Sequence, residues 1–146
     1  MRNQTIIITW IAAIIGVFDS AYLAYVKFAQ SSIYCTPGLG DCVSVNSSQW
    51  SVIWGIPVAI FGIATYLAVI GLLLLAQKIH FMRSYAIYFI FGIGLFGVLY
   101  SLYLTYIEFF VLHAVCQWCI LSAICITTIF IATIIRLKEY QFQPNK

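Results

Sequence analysis

Long apolar runs separated by short polar connections dominate this chain. They cover residues 6–28, 56–76, 86–110 and 116–135. Each holds 20 to 25 residues, enough to cross ~30 Å of hydrocarbon at ~1.5 Å per residue. The apolar–polar alternation over ~10 residues that marks a membrane strand is absent. Only helices or closed barrels satisfy the backbone in lipid. The pattern therefore predicts an all-α integral membrane protein, a four-transmembrane-helix bundle read as a single membrane domain over residues 1–146.

The polar stretch at 29–55 has its own organisation. Thr36-Pro37-Gly38-Leu39-Gly40 is rich in turn formers. Ser47 or Ser48 is expected to cap a short helix through Trp54, with Trp50, Ile53 and Trp54 on one face. Tryptophan favours the membrane interface, so this piece reads as an interfacial helix in the first outer loop. Pro57 suits the first turn of the next helix.

Composition agrees with the pattern: 64% of the 146 residues are hydrophobic and 8% are charged, against ~25% charged in average soluble domains. So short a soluble chain has no interior large enough to hide that much apolar surface. Seven Lys+Arg against four Asp+Glu is too mild and scattered a balance for nucleic-acid binding. The placement of the charges is more telling. Arg2, Lys78, Arg83, Arg136, Lys138 and Lys146 fall on one side of a four-helix topology, and Lys27 on the other. The positive-inside rule then puts both termini and the 136–146 tail in the cytoplasm and the 29–55 loop outside. The first helix runs on through Tyr22, Leu23 and Val26 with no small-residue cleavage site, so it is expected to be retained rather than removed as a signal peptide. No room is left for a soluble domain, so any soluble partner is expected to be a separate protein.

Five cysteines are many for this length. Cys35 and Cys42 flank the turn-rich loop, and Cys116-Gln117-Trp118-Cys119 opens the fourth helix. The predicted topology brings both pairs to the outer face, a compartment that permits disulfides. A Cys-x-x-Cys at a helix N-terminus suits redox work, because the dipole and free N–H groups favour a thiolate. Cys119 lies one turn deeper than Cys116, so Cys116 is expected to meet partners and Cys119 to look into the bundle. Zinc is disfavoured, since no His or carboxylate neighbours the helical pair, and no metal is expected. Attachment of c-type haem needs a His where Ile120 stands. Two structural disulfides remain an alternative, although a Cys-x-x-Cys bridge closes too small a loop to stabilise much. Cys125 reads as a small packing residue.

Among the other polar residues, Asp19 is the one acid well inside a run and is expected to face the bundle interior. A structural role there competes with a place on a proton path. Glu108 reads as interfacial, Lys27 as snorkelling to the outer surface, and His113 as a turn residue close enough to influence Cys116.

The stretch Ser20-Ala21-Tyr22-Leu23, Val26-Lys27, then Cys35, Asp41-Cys42, Ser48, Gly55-Ile56-Pro57, Phe61-Gly62, Tyr66 and Cys116-x-x-Cys119 resembles the vitamin K epoxide reductase family. It looks most like the bacterial quinone-linked members that lack a fused thioredoxin domain. The bacterial disulfide-bond formation protein B family does similar chemistry on four helices, but with its cysteine pairs in the reverse order. The resemblance implies a relay. A separate extracytoplasmic thioredoxin-fold (DsbA-like) protein attacks a Cys35–Cys42 disulfide, Cys42 attacks Cys116, and Cys119 passes electrons to a quinone of the ubiquinone or menaquinone type. Ser48 matches a serine that supports the moving loop. Some animal members hold the quinone carbonyls with an Asn and a Tyr where Val58 and Ala123 stand here. Apolar contacts are expected instead, with Phe61 and Leu112 as walls beside Cys119. The resulting expectation is a thiol oxidoreductase of the inner membrane that supports disulfide formation in exported proteins. The alternatives are a non-catalytic scaffold with structural disulfides and a vitamin K quinone or epoxide reductase proper.

Overall fold

The computed structural model describes residues 2–36, 38, 40–79 and 82–142, with the side chains of Arg2, Met82 and Arg83 left aside. Pro37 and Leu39 of the expected turn, and Lys146 of the expected charge bias, lie outside the described residues; so do the side chains of Arg2 and Arg83.

Four long helices form: α1 (Arg2–Ala29), α3 (Val58–Lys78), α4 (Met82–Ile107) and α5 (Gln117–Phe142). All four are long and apolar enough to cross a membrane. α1 packs against α3 and α5, and α4 packs against the same two, closing a ring of antiparallel neighbours. Short connections between long apolar helices favour this up-and-down arrangement.

The helices outrun the apolar runs where nothing stops them. Arg136, Lys138, Glu139 and Gln141 are good helix formers, so α5 continues to Phe142 where a tail from residue 136 was expected. Arg136 is buried in the bundle as a consequence. α3 starts later than expected, because Ile56 and Pro57 belong to a strand and Pro57 precedes the helix as its cap.

The interior divides into two clusters. In the far half, away from the 30–57 connection, Ala12, Ala13, Tyr66, Val69, Leu73, Ile90, Cys125, Ile126 and Ile129 pack together. Helix approach there is close: a Cβ on Gly16 would run into the Tyr66 ring, the role small residues play between membrane helices. The Tyr66 hydroxyl crosses to α5 and lies 2.9 Å from both the carbonyl oxygen and the Oγ of Ser122. Asp19 faces inward, 3% exposed, near enough to Tyr66 and Cys125 to interact electrostatically with them. Cys125 packs in this core as expected.

The 30–57 connection departs from the expected interfacial helix. The helix in it is earlier and shorter, α2 (Cys42–Ser47), followed by a 3₁₀ turn (Gln49–Ser51) and a hairpin of β1 (Val52–Ile53) and β2 (Ile56–Pro57). Asp41 starts α2, accepting a hydrogen bond from the Ser44 N–H at 3.1 Å and one from the Ser44 hydroxyl at 2.5 Å. Ser48 stands at the junction of α2 and the 3₁₀ turn, and its hydroxyl donates back to the Val45 carbonyl of α2 at 2.7 Å rather than capping the turn that follows. Trp54 and Gly55 both take positive φ, 50° and 82°, the geometry of a two-residue hairpin turn. That turn separates Trp54 from Trp50 and Ile53 and leaves Trp54 fully exposed at the tip.

Candidate active site

The second cluster lies at the loop end of the bundle. Leu23, Val26, Ile33, Cys42, Val45 and Cys116 are buried together, with Tyr22, Cys35, Ala59, Leu112, Ala114, Trp118 and Cys119 packed around them. Four cysteines, 81 residues apart in sequence between Cys35 and Cys116, thus share one small apolar interior. Cys35 and Cys42 are joined as a disulfide, with their Cα atoms 6.0 Å apart. Cys116 and Cys119 are free thiols.

The loop disulfide is held against the Cys-x-x-Cys by the two residues between its cysteines. The Trp118 indole N–H donates to the Tyr34 carbonyl at 3.0 Å. The Thr36 N–H donates to Gln117 Oε1 at 3.3 Å. Both residues flanking Cys35 are therefore fastened to α5. The Tyr34 N–H donates to the Tyr22 hydroxyl at 3.2 Å, and the Tyr22 ring packs on Trp118 at 4.8 Å between centroids. Gly40 presses on the backbone beside Cys116: with φ of 141°, a Cβ there would collide with the Val115 carbonyl. Only glycine combines that backbone conformation with that approach.

Lys27 fixes the other side of the loop. Its ammonium donates to the Asn46 carbonyl, and to Ser51 Oγ at 2.7 Å. Ser51 Oγ is itself 2.6 Å from the Asn46 carbonyl and 2.8 Å from that of Ser48. Instead of reaching outward alone, Lys27 ties the end of α1 to the segment containing Ser48.

Cys116 departs from its expected position. It is completely buried beneath the docked loop, so it does not meet a soluble partner directly in this conformation. Cys35 is half-buried and Cys42 fully buried. Cys116 immediately precedes α5, with its sulfur near the Cys119 thiol first of all and then the N–H groups of Cys119 and Trp118. These donors hold the Cys116 thiol below the usual cysteine range, as a helix N-terminus favours the thiolate.

Glu108 was missed as a site residue. It is only 4% exposed, turned into the protein interior. It opens a π-helical turn (Glu108–Leu112) between α4 and His113, whose backbone is left-handed with φ 49°. Its carboxylate accepts the Cys116 N–H at 3.1 Å and lies within hydrogen-bonding reach of the Cys119 thiol. An acid eight residues before a Cys-x-x-Cys was visible in the sequence; the π turn that aims it inward was not. His113 itself is exposed.

The expected quinone walls separate. Leu112 packs on the cysteine cluster, whereas Phe61 is 44% exposed on α3 and stands outside that cluster. A groove of about 430 Å³ runs between α4 and α5, lined by Thr105, Phe109, Ile120, Ala123, Ile124, Thr127 and Thr128. Its three threonine hydroxyls donate to carbonyls of their own helices, which leaves the wall effectively apolar.

The model of the vitamin K epoxide reductase family matches residues 7–134. The chain belongs to this family. Among its relatives is the thiol-disulfide oxidoreductase LTO1 of Arabidopsis thaliana, 30% identical over 130 residues. The match covers 84% of this chain and 35% of the relative, so this family member spans about a third of the length of that protein. The matched region runs from α1 into α5 and contains all five cysteines together with Glu108 and Lys27.

Proposed function

We propose that this family member is a membrane thiol oxidoreductase that carries electrons from a thioredoxin-fold protein, through two cysteine pairs, to a membrane quinone. The observation that carries the reading is the docking of the Cys35–Cys42 loop on Cys116-Gln117-Trp118-Cys119, with Cys42 and Cys116 buried in one cluster. Structural disulfides alone do not require such a docked interface, nor free thiols at a helix N-terminus.

In this reading Cys35, the more accessible loop sulfur, receives the partner's thiolate. The Cys35–Cys42 bond breaks, a mixed disulfide forms at Cys35, and Cys42 leaves as a thiolate. The partner's second thiol then releases Cys35, so two electrons enter the loop pair. With Cys116–Cys119 oxidised, Cys42 attacks Cys116 and Cys119 becomes the leaving sulfur. Cys35 resolves the mixed bond, restoring the loop disulfide and leaving the membrane pair as dithiol. Loop disulfide with free Cys116 and Cys119 thiols is the arrangement described here. Ser48 and Lys27 fasten the α2 end of the loop while Gln117 and Trp118 fasten the Cys35 end, so release at one end need not free the other.

A bound quinone would supply the terminal two-electron acceptor. The α4–α5 groove fits such a group. Its size falls within the ~300–1,000 Å³ of small-molecule sites, its walls are apolar, and Ile120 and Ala123 follow Cys119 by one residue and one turn. Ala123 is also the position that the resemblance pairs with the polar Tyr of animal members. Neither Phe61 nor Leu112 lines the groove, so the proposed seat moves there from those two walls. The basic residues favour a plasma-membrane orientation with the cysteine pairs on the extracytoplasmic face.

The test is turnover. Purified protein, given a reduced thioredoxin-fold protein and a soluble quinone, should consume thiols and quinone one disulfide per quinone. No turnover with any quinone would leave the scaffold reading standing. Val58 and Ala123 offer no polar handle, so the quinone should be accepted and the epoxide of vitamin K refused.

A further inference from the structure

We propose that Glu108 is the proton acceptor for the Cys119 thiol when the Cys116–Cys119 pair is oxidised. The inference rests on the assignment of these cysteines as the membrane redox pair and adds the group that handles their proton.

A carboxyl group at membrane depth is expensive to keep, and such residues face function or a partner. Glu108 is buried at the loop end of α4, where the π turn directs it at the start of α5. Single-turn π segments recur at functional positions because the extra residue re-aims a side chain. The turn is held shut by the Ala114 N–H donating to the Glu108 carbonyl at 3.1 Å. One carboxylate oxygen anchors the Cys116 N–H. The Cys119 thiol is within hydrogen-bonding reach of both this carboxylate and the Cys116 sulfur. The Cys119 S–H thus has two acceptors in reach, the Cys116 sulfur and the Glu108 carboxylate.

The titratable groups that interact with Glu108 are those two thiols. Of the other groups at this end, Lys27 is held by Asn46 and Ser51, Asp41 is held by Ser44, and the Cys35–Cys42 disulfide does not titrate. His113 lies exposed at the end of the same turn.

Oxidation of the dithiol removes two electrons and two protons, breaks two S–H bonds and forms one S–S bond. The oxidant is a quinone in the proposed cycle, or a small disulfide in a test tube, and either takes up both electrons and two protons. The Cys116 proton leaves to the aqueous side as the loop lifts, favoured by the donors around that sulfur. The Cys119 proton passes to the Glu108 carboxylate, which is within hydrogen-bonding reach of that thiol and returns the proton as the oxidant is reduced.

The variant E108Q keeps an oxygen for the Cys116 N–H and removes the proton acceptor. With the full chain free of quinone, oxidation of the Cys116/Cys119 dithiol by hydroxyethyl disulfide is followed across pH. The expected result is about a 100-fold loss at neutral pH, in the range of general base catalysis. The gap should close at alkaline pH, where the thiol ionises unaided. E108D should regain much of the rate with the wild-type profile. Wild-type rates in E108Q at every pH would overturn the inference. Should E108Q fail to fold, E108D decides: a retained wild-type profile supports the role, and a rate lowered by the same factor at every pH overturns it. If Glu108 governs this reaction and no quinone is reduced by the wild type, the inference stands and the quinone reading falls.

Discussion

The two ends of the bundle are held by different means. In the far half, apolar side chains from all four helices interlock, and the threonine hydroxyls there, such as Thr9 to Thr5 and Thr133 to Ile129, bond back to their own helices, while the Tyr66 hydroxyl crosses from α3 to Ser122 of α5. At the loop end the apolar interior contains sulfur, and polar side chains reach from one element to the backbone of another: Trp118 to Tyr34, Gln117 to Thr36, Lys27 to Asn46, Glu108 to Cys116. The contrast teaches a division of labour. A packed helix core opens only at large cost. A loop held by a few hydrogen bonds, each worth ~0.5–1.5 kcal/mol net, can dock and release. The proposed relay needs a rigid frame at one end and a releasable clamp at the other.

The comparison breaks most completely at Cys119. Cys119→Ala should abolish thiol consumption coupled to quinone, while exchange between the loop disulfide and the partner persists; a coupled rate that survived would show that another sulfur is innermost. Gly40→Ala comes next. Its Cβ meets the Val115 carbonyl at a backbone geometry that strains any L residue, costing ~1–3 kcal/mol. The expected result is a loss of relay rate by tenfold or more with the thermal midpoint little changed. Gly16→Ala, at the far end, should do the reverse. Overpacking against the Tyr66 ring costs ~1–3 kcal/mol, so the midpoint falls and thiol exchange with the partner keeps its rate.

Smaller effects should separate the fasteners of the loop. Trp118→Phe and Gln117→Ala each remove one hydrogen bond to the segment around Cys35, worth ~0.5–1.5 kcal/mol or a factor of about 2 to 10. Each should raise the rate at which Cys116 is alkylated, because that buried sulfur becomes reachable only when the loop lifts. Unchanged alkylation in the double variant would place the clamp elsewhere. The mildest handle is pH. Hydrogen bonds from Ser44 hold the Asp41 carboxyl below the usual carboxylate range. Its folded pKa is depressed, so its support of α2 is present above the ordinary value of ~3.9 and fades as pH falls through the lower folded value. Amide exchange in 42–47 should quicken at acid pH, and Asp41→Ala should show that faster exchange already at neutral pH.

The far half was largely legible in the sequence, because continuous apolar runs of membrane-spanning length permit few alternatives. The two cysteine pairs were legible as well, since spacing and topology together brought them to one end. What escaped was local and irregular. The helix of the loop began at Asp41 rather than at Ser48 because both residues are good caps and only the docked loop selects between them. The Trp54–Gly55 hairpin hid inside a stretch whose aromatic spacing also fits a helix. Glu108 escaped because its burial depends on a π turn, which has no clear sequence signature. Lys27 was read as snorkelling and Trp118 only as part of the Cys-x-x-Cys, yet their partners are backbone carbonyls in the 30–57 loop, 19 and 84 residues away in the chain.

The central claim is that the two cysteine pairs form one relay, joined through Cys42 and Cys116. Cys35→Ala removes the resolving sulfur and should trap that junction. In the full-length variant, isolated with an oxidised membrane pair and mapped by mass spectrometry without reduction, the account predicts a Cys42–Cys116 disulfide with Cys119 free. A Cys42–Cys119 bond, or Cys42 left as a free thiol beside an intact Cys116–Cys119 bridge, would contradict it.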